Sequence, residues 1–314
     1  MEIAPLKKRN VSDFPWEGSC AKKPWEYKAT AMIPVLDTYE ELKTCVDLLR
    51  LQTERPYIIV VDTGSSTDIL NQISRLRNSD LELHSIRTNG AMHPSDFPAW
   101  AMDLSFSLCR TEFAFATHAD CFARRRDLIE YMLKLCRSKS PVVGYEISPR
   151  LHNDWEGMVS HTATMYHMPT MDKIGFGWSL RRLANMYDLR NYKPDPMRPN
   201  WPDTEILGNY ILRKFKISPY LIGSEQNFER NKDDNIDHCR SITSGKLYSP
   251  EYEAKATGWL SEAISEAKER IELWESERKR SILDLAREHE IDLSKIKDQR
   301  DLVDVMTGKR MVEE

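Results

Sequence analysis

Residues 29–136 alternate four times between a short apolar run and a stretch with apolar residues at helical spacing, and no other feature constrains the fold as much. The runs are ATAMIPVL, YIIVVD, LELHSI and EFAFATH. Each is too short for a helix of ordinary length, and the first two are apolar almost throughout, as a strand buried on both faces is. The segments between them read as helices: TYEELKTCVDLLRLQ, DILNQISRLR, PAWAMDLSFSLC and RRRDLIEYMLKLC. Strand alternating with helix predicts an α/β fold, a mostly parallel mixed sheet flanked by helices. In such sheets ligands bind beyond the carboxyl ends of the strands. Asp37, Asp62 and the triplet His118-Ala119-Asp120 each stand just past a strand end, so they can meet at one rim.

Local signals refine the picture. Thr38 with Glu41 three residues later has the form of a capping box, and Asp96 stands near the start of the third helix. Arg124, Arg125 and Arg126 read as the solvated first turn of the fourth helix, with phosphate binding as the competing use. After Pro141 the alternation weakens. PVVGYEI and SHTATMYHM read as strands, DTEILGNYILRKF as a helix and KISPYLIG as a strand. Four prolines within residues 194–202 demand a loop, a candidate lid. From Pro250 the composition shifts to Glu, Lys, Arg and Ala. Leu260, Ile264, Ala267, Ile271 and Trp274 then form one apolar stripe on a long helix, expected to pack on the main domain or on a second copy of the chain. The expected organisation is an N-terminal arm over 1–28 that packs on the main domain, an α/β domain over 29–248 and a helical extension over 249–314.

Bulk properties exclude several classes. A net charge of -4 and a pI of about 6.1 give no broad basic footprint for nucleic acid or a membrane surface. The six cysteines form no CxxC pair, which argues against a zinc ribbon or a dithiol redox site and for reduced thiols in the cytoplasm. No apolar stretch is long enough for a secretory signal or a membrane span. The first strand is not followed by GxGxxG, which argues against a dinucleotide dehydrogenase. It also lacks the glycine-rich basic loop expected of a sugar nucleotidyltransferase.

IPVLDTYEELKTCVDLLRLQ, IIVVDTGSST and FATHADC, in this order and spacing, resemble the family 2 glycosyltransferases, nucleotide-sugar enzymes with the GT-A fold. The resemblance covers about residues 30–213, with a looser echo to 241. Asp37 stands where the family usually has Asn, Thr63 at the second Asp of Val-Asp-Asp-Gly-Ser, and His118 at the first Asp of Asp-x-Asp. The resemblance implies that Pro34, Asp37, Asp62 and Gly64 hold the nucleoside of a UDP- or GDP-sugar, with Asn89 on a donor-binding loop. It implies that His118 and Asp120 hold a divalent cation, Mn²⁺ or Mg²⁺. A downstream histidine, His238, is a candidate further ligand, with Arg240 on the diphosphate. It places Asp203 as the base that activates an acceptor hydroxyl in an inverting transfer, with Glu205 in reserve, and Pro202 where the family has Glu. Each residue also has a plainer use: His118 or His238 bonded to backbone, Asp120 or Asp203 as a helix cap. Trp178 and Trp201 read equally as sugar-stacking or buried rings. The competing function is a degenerate, non-catalytic nucleotide-sugar-binding or scaffold protein acting through its C-terminal helix.

Overall fold

The computed structural model describes residues 16–18, 26–86, 96–147, 157–179, 204–225, 229–239 and 250–288. In chain order these form β1 (Trp16–Gly18), β2 (Ala29–Val35), α1 (Tyr39–Arg50), β3 (Tyr57–Asp62), α2 (Thr67–Ser74), β4 (Leu81–Ile86), α3 (Asp96–Leu108) and β5 (Phe113–Ala116). There follow β6 (Cys121–Ala123), α4 (Leu128–Ser138), β7 (Val142–Glu146), β8 (Thr164–His167), α5 (Met168–Ile174), α6 (Thr204–Lys214), β9 (Tyr220–Ser224), β10 (Asn231–Lys232), β11 (Ile236–His238) and α7 (Pro250–Glu288).

Among the described residues eight strands make one sheet in the order β1-β4-β3-β2-β5-β8-β7-β9. The pairs β4-β3, β3-β2, β2-β5 and β7-β9 are parallel; β8 runs antiparallel between β5 and β7, and β1 closes the β4 edge antiparallel. A second sheet, β10-β11-β6, is antiparallel. This is the mostly parallel, helix-flanked architecture that the alternation and the GT-A resemblance imply. The N-terminal segment enters it through β1.

Alternate residues of each strand feed cores on opposite faces. From β2, Ala31, Ile33 and Val35 join Leu42, Val46, Leu128, Ile129 and Met132 of α1 and α4 on one face. Met32 joins Met102 and Phe106 of α3 on the other. Ile59 and Val61 of β3 pack on Ala101 and Leu104 of α3. Cover on both faces is the reason β2 and β3 read as nearly unbroken apolar runs. Each fully buried side chain of this size contributes about 1.5–3 kcal/mol.

The stripe on α7 turns inward. Ala263, Ala267 and Trp274 are buried in the same core as α1 residues, with Leu260, Ile264 and Ile271 packed against it. Alanines at the contact let the α7 backbone come close to the domain, and Trp274 is buried two turns further on.

Two local expectations are corrected. Thr38 occupies the N-cap of α1, but its hydroxyl makes no capping bond; only its carbonyl is used, accepting from the Leu42 N–H at 3.3 Å. Arg124, Arg125 and Arg126 precede α4 instead of forming its first turn. Each is half-buried and engaged: Arg124 donates to the Asp233 carbonyl, Arg125 pairs with Asp127, and Arg126 reaches Glu277 of α7. They tie β6, β10 and α7 together and leave no free guanidinium row for phosphate.

Trp178 is a core residue. It is 2% exposed, with its ring centroid 4.4 Å from Phe106 and 5.0 Å from Phe176. Below it Asp103 of α3, fully buried, accepts the backbone N–H groups of Trp178 and Ser179, both at 2.9 Å. A buried carboxylate with two charge-assisted bonds fixes this segment where it leaves the core.

Candidate metal centre

The parallel strands all end at one rim, and the ladder shows how. Val35 pairs with Asp62 across β2-β3, and the β2-β5 ladder closes with the Thr117 N–H on the Met32 carbonyl. Pro34 has the parity of Met32, so its missing N–H faces the β5 side just beyond the last ladder bond. Proline is tolerated there because no donor is needed. The strands part at this point, and His118 follows two residues after β5.

The rim carries two groups of residues. In the first, Asp62 is 2% exposed and its carboxylate accepts the Gly64 and Ser65 N–H groups at 3.2 and 3.0 Å. Asp37 holds the same turn from the neighbouring strand. Its N–H donates to Ser65 Oγ and its Oδ1 accepts the Ser66 N–H, both at 2.8 Å. Gly64 at φ 118° lies where a side chain would be strained, and Asp37 itself is left-handed at φ 52°. The two expected nucleoside-binding aspartates thus shape one tight turn, with Asp37 exposed on its outer side.

In the second group, His118, Asp120 and His238 each offer one ligand atom, and these atoms lie within 4.8 Å of one another. His118 Nδ1 is 3.4 Å from His238 Nε2, which is 3.6 Å from Asp120 Oδ1. Two atoms bound to one ion at about 2.0–2.2 Å stand roughly 3.0–3.5 Å apart at right or tetrahedral angles, so the spacing fits a single cation. His238 arrives from the second sheet. It pairs in register with Cys121 across β11-β6, and the Cys239 N–H donates to the Asp120 carbonyl. Asp120 sits in the turn between β5 and β6 and caps no helix. Cys45 of α1 donates its thiol to the His118 carbonyl at 3.6 Å.

Two residues that the sequence reading missed adjoin this group. His161, just before β8, lies against His118 with ring centroids 4.4 Å apart, and its Nδ1 is 2.8 Å from Glu205 Oε1. Glu225, fully buried one residue past β9, faces His238 Nδ1 at 3.4 Å. Because β8 is antiparallel, the residues before it lie at the same rim as the ends of β5 and β9. The first histidine in SHTATMYHM was hidden inside a strand-like alternation.

Burial, followed by the neighbouring imidazoles of His161 and His238, pushes the His118 pKa down to about 3. Burial alone would also lower His238, but facing Asp120 and Glu225 it is raised to about 9. Burial pushes the Asp120 carboxyl up, yet His238 and His118 outweigh it and hold the group below the usual carboxylate range. Glu41 of α1 is raised, by burial first and partly by Asp120. The pocket therefore holds a neutral imidazole, a protonated one and an ionised carboxylate, a set that a divalent cation could bind after displacing one proton.

Glu205, the reserve base, is engaged beside this group: its Oε1 accepts from Ser160 Oγ at 2.8 Å and the His161 N–H at 3.3 Å, and lies 2.8 Å from His161 Nδ1 without hydrogen-bond geometry. Asn89, Asp203 and Arg240 lie outside the described residues, as do Trp201 and the proline-rich loop. A larger groove of about 470 Å³, lined in part by Glu112, Arg137 and His167, opens at the opposite end of the strands and collects none of the expected residues. No described helix is long and apolar enough to cross a membrane.

No family model and no curated protein matches the chain. Solved structures give distant likenesses. A mannosyltransferase from Pyrobaculum calidifontis in complex with GDP-Man and Mn²⁺ is 12% identical, with a TM-score of 0.45 over 95% of this chain and 84% of that one. Glucosyl-3-phosphoglycerate synthase from Mycobacterium tuberculosis, in complex with Mn²⁺, UDP-glucose and phosphoglyceric acid, is 10% identical, with a TM-score of 0.43 over 76% and 80%. TarS from S. aureus is 14% identical, with a TM-score of 0.45 over 76% of this chain and 43% of its own. At TM-scores below 0.5 these are resemblances of chain trace, and the architecture described above stands on its own strand order.

Proposed function

We propose that this chain is a glycosyltransferase that takes a sugar from a nucleoside-diphosphate donor, UDP- or GDP-linked, to a hydroxyl acceptor with inversion, assisted by a divalent cation. The observation that carries this reading is the pairing of two structures at one rim: a His118-Asp120-His238 donor set spaced for one cation, and the Asp37-Asp62 turn on the adjoining strands. A bound cation would neutralise charge growing on the departing diphosphate. The chain's own groups do the rest. Asp37, on the outside of its turn, is assigned to the nucleoside, and the Gly64 turn lets backbone approach it. Pro34 leaves the β2-β5 gap open for the donor. Asn89 and Arg240 are assigned to the donor and its diphosphate. Asp203, immediately before α6, is assigned as base. It takes the acceptor proton as the acceptor oxygen bonds to the anomeric carbon and the bond from that carbon to the phosphate oxygen breaks. Glu205, held by Ser160 and His161, is assigned to positioning.

The test is calorimetric titration of the full chain with UDP- and GDP-sugars, with and without Mn²⁺, beside donor hydrolysis by wild type and Asp203→Asn. Cation-dependent binding of one donor, with turnover lost in the variant, supports the reading. Binding with equally negligible turnover in both proteins points instead to a non-catalytic sugar-nucleotide binder. A folded chain that binds no nucleoside diphosphate rejects both.

A further inference from the structure

We infer that His161 is a third imidazole ligand of the cation site, held in place by Glu205, and that the site therefore selects a transition ion such as Mn²⁺ or Co²⁺ over Mg²⁺. This rests on the cation-site reading given above and extends it to His161, a residue to which the resemblance assigns no role.

A histidine that ligates metal through one nitrogen generally has the other held by a carboxylate, carbonyl or water, which fixes the ring and its tautomer. His238 has a looser form of that arrangement: Nε2 faces His118 and Asp120, while Nδ1 faces buried Glu225 at 3.4 Å, an ion-pair distance without hydrogen-bond geometry. His161 repeats it. Its Nδ1 lies 2.8 Å from Glu205 Oε1, an ion-pair distance without hydrogen-bond geometry, so the nitrogen left for a ligand is Nε2; it stands outside the 4.8 Å set, beside His118 at 4.4 Å between ring centroids, and joins the shell by a small turn of the side chain. Two carboxylate-backed imidazoles thus flank the His118-Asp120 turn.

The backing is rigid. Glu205 is fixed by the Ser160 hydroxyl, and the segment before β8 is fixed in turn. The Ser160 N–H donates to the Tyr145 carbonyl at 2.8 Å. Asn209 of α6 accepts the Val159 N–H at 2.8 Å and donates to the Val159 carbonyl at 2.7 Å. His161 is buried. A backbone held from two elements keeps the ring beside the site, so that a small turn of the side chain brings Nε2 to the ion. Three imidazoles and one carboxylate suit Mn²⁺, Co²⁺ or Zn²⁺, whereas Mg²⁺ takes oxygen ligands and keeps its waters.

The experiment uses the full chain stripped with chelator and reloaded with Co²⁺. Each imidazole bound to paramagnetic Co²⁺ gives a strongly shifted, exchangeable ring N–H proton resonance. Wild type is expected to show three, from His118, His161 and His238. His161→Gln is expected to lose one and to bind Co²⁺ and Mn²⁺ about tenfold or more weakly by calorimetry. Glu205→Gln is expected to weaken both ions while keeping three resonances, the mark of a positioning group. Mg²⁺ is expected to bind wild type at least about tenfold more weakly than Mn²⁺. Two resonances in wild type, unchanged affinity in a folded His161→Gln, or equal Mg²⁺ and Mn²⁺ affinity overturns the inference and leaves the cation site standing. A folded wild type that binds neither Co²⁺ nor Mn²⁺ overturns both.

Discussion

His118 Nδ1 and His238 Nε2 stand 3.4 Å apart although 120 residues separate them. One belongs to the loop after a strand of the main sheet, the other to the last residue of β11 in the small sheet. Their contact brings together a ring held neutral, with its pKa near 3, and a ring held protonated, with its pKa near 9.

That difference sets a pH dependence. His238 must lose its proton to ligate a cation, so binding releases a proton below about pH 9, and apparent affinity rises about tenfold per pH unit from 6.5 toward 9. In the cation-free protein the sign is opposite. A folded pKa raised above the ordinary 6.5 contributes stability that is full below 6.5 and lost as pH rises through about 9. Melting curves with chelator should fall across this window, and curves with saturating Mn²⁺ should not.

Removing a ligand should matter more than removing a turn residue. His238→Ala and Asp120→Asn are expected to weaken Mn²⁺ binding more than about tenfold. Ser65→Ala, which removes only the hydroxyl that accepts the Asp37 N–H, should leave Mn²⁺ affinity within about twofold. Calorimetry on the three variants decides it.

Asp103→Ala strands two buried N–H groups at Trp178 and Ser179. Loss of a buried charged acceptor costs about 2–3 kcal/mol, read as a lower urea midpoint. An unchanged midpoint would show that the segment is anchored otherwise.

Gly144→Ala tests the tight packing of β7. A Cβ there would run into the Thr164 hydroxyl and Val159. The overpacked variant is expected to lose about 2–3 kcal/mol and to soften the Ser160-Thr164 segment that carries His161. Hydrogen exchange across that segment should quicken relative to α1.

Ala267→Glu places a carboxylate where α7 is fully buried. With no room for the larger side chain and a charge to desolvate, α7 should detach from the domain. Limited proteolysis should then cut before or within residues 250–288 while the sheet survives. Cutting at the wild-type rate would mean that the docking of α7 contributes little.

The sequence made the main sheet legible because its strands are covered on both faces and so carry an unmistakable apolar signature. It also pointed to His118 and Asp120, which stand past a strand end where such a sheet gathers ligands, while His238 came only from the family resemblance. What it hid depends on strand direction and pairing. His161 looked like one residue of an alternating strand because nothing local announces that β8 runs antiparallel and starts at the same rim. Glu225 follows a strand whose pattern is only half-buried. The three arginines misled for the converse reason: a charge run looks solvated until its partners, Asp127, Glu277 and the Asp233 carbonyl, fold back on it.

The pairing of β11 with β6 carries one more implication. Side chains along a strand change face with every step, so the length of the bend at residues 233–235 acts as a parity setting. Losing or gaining a single residue there would turn the His238 imidazole to the far face, whereas a change of two would restore its aim.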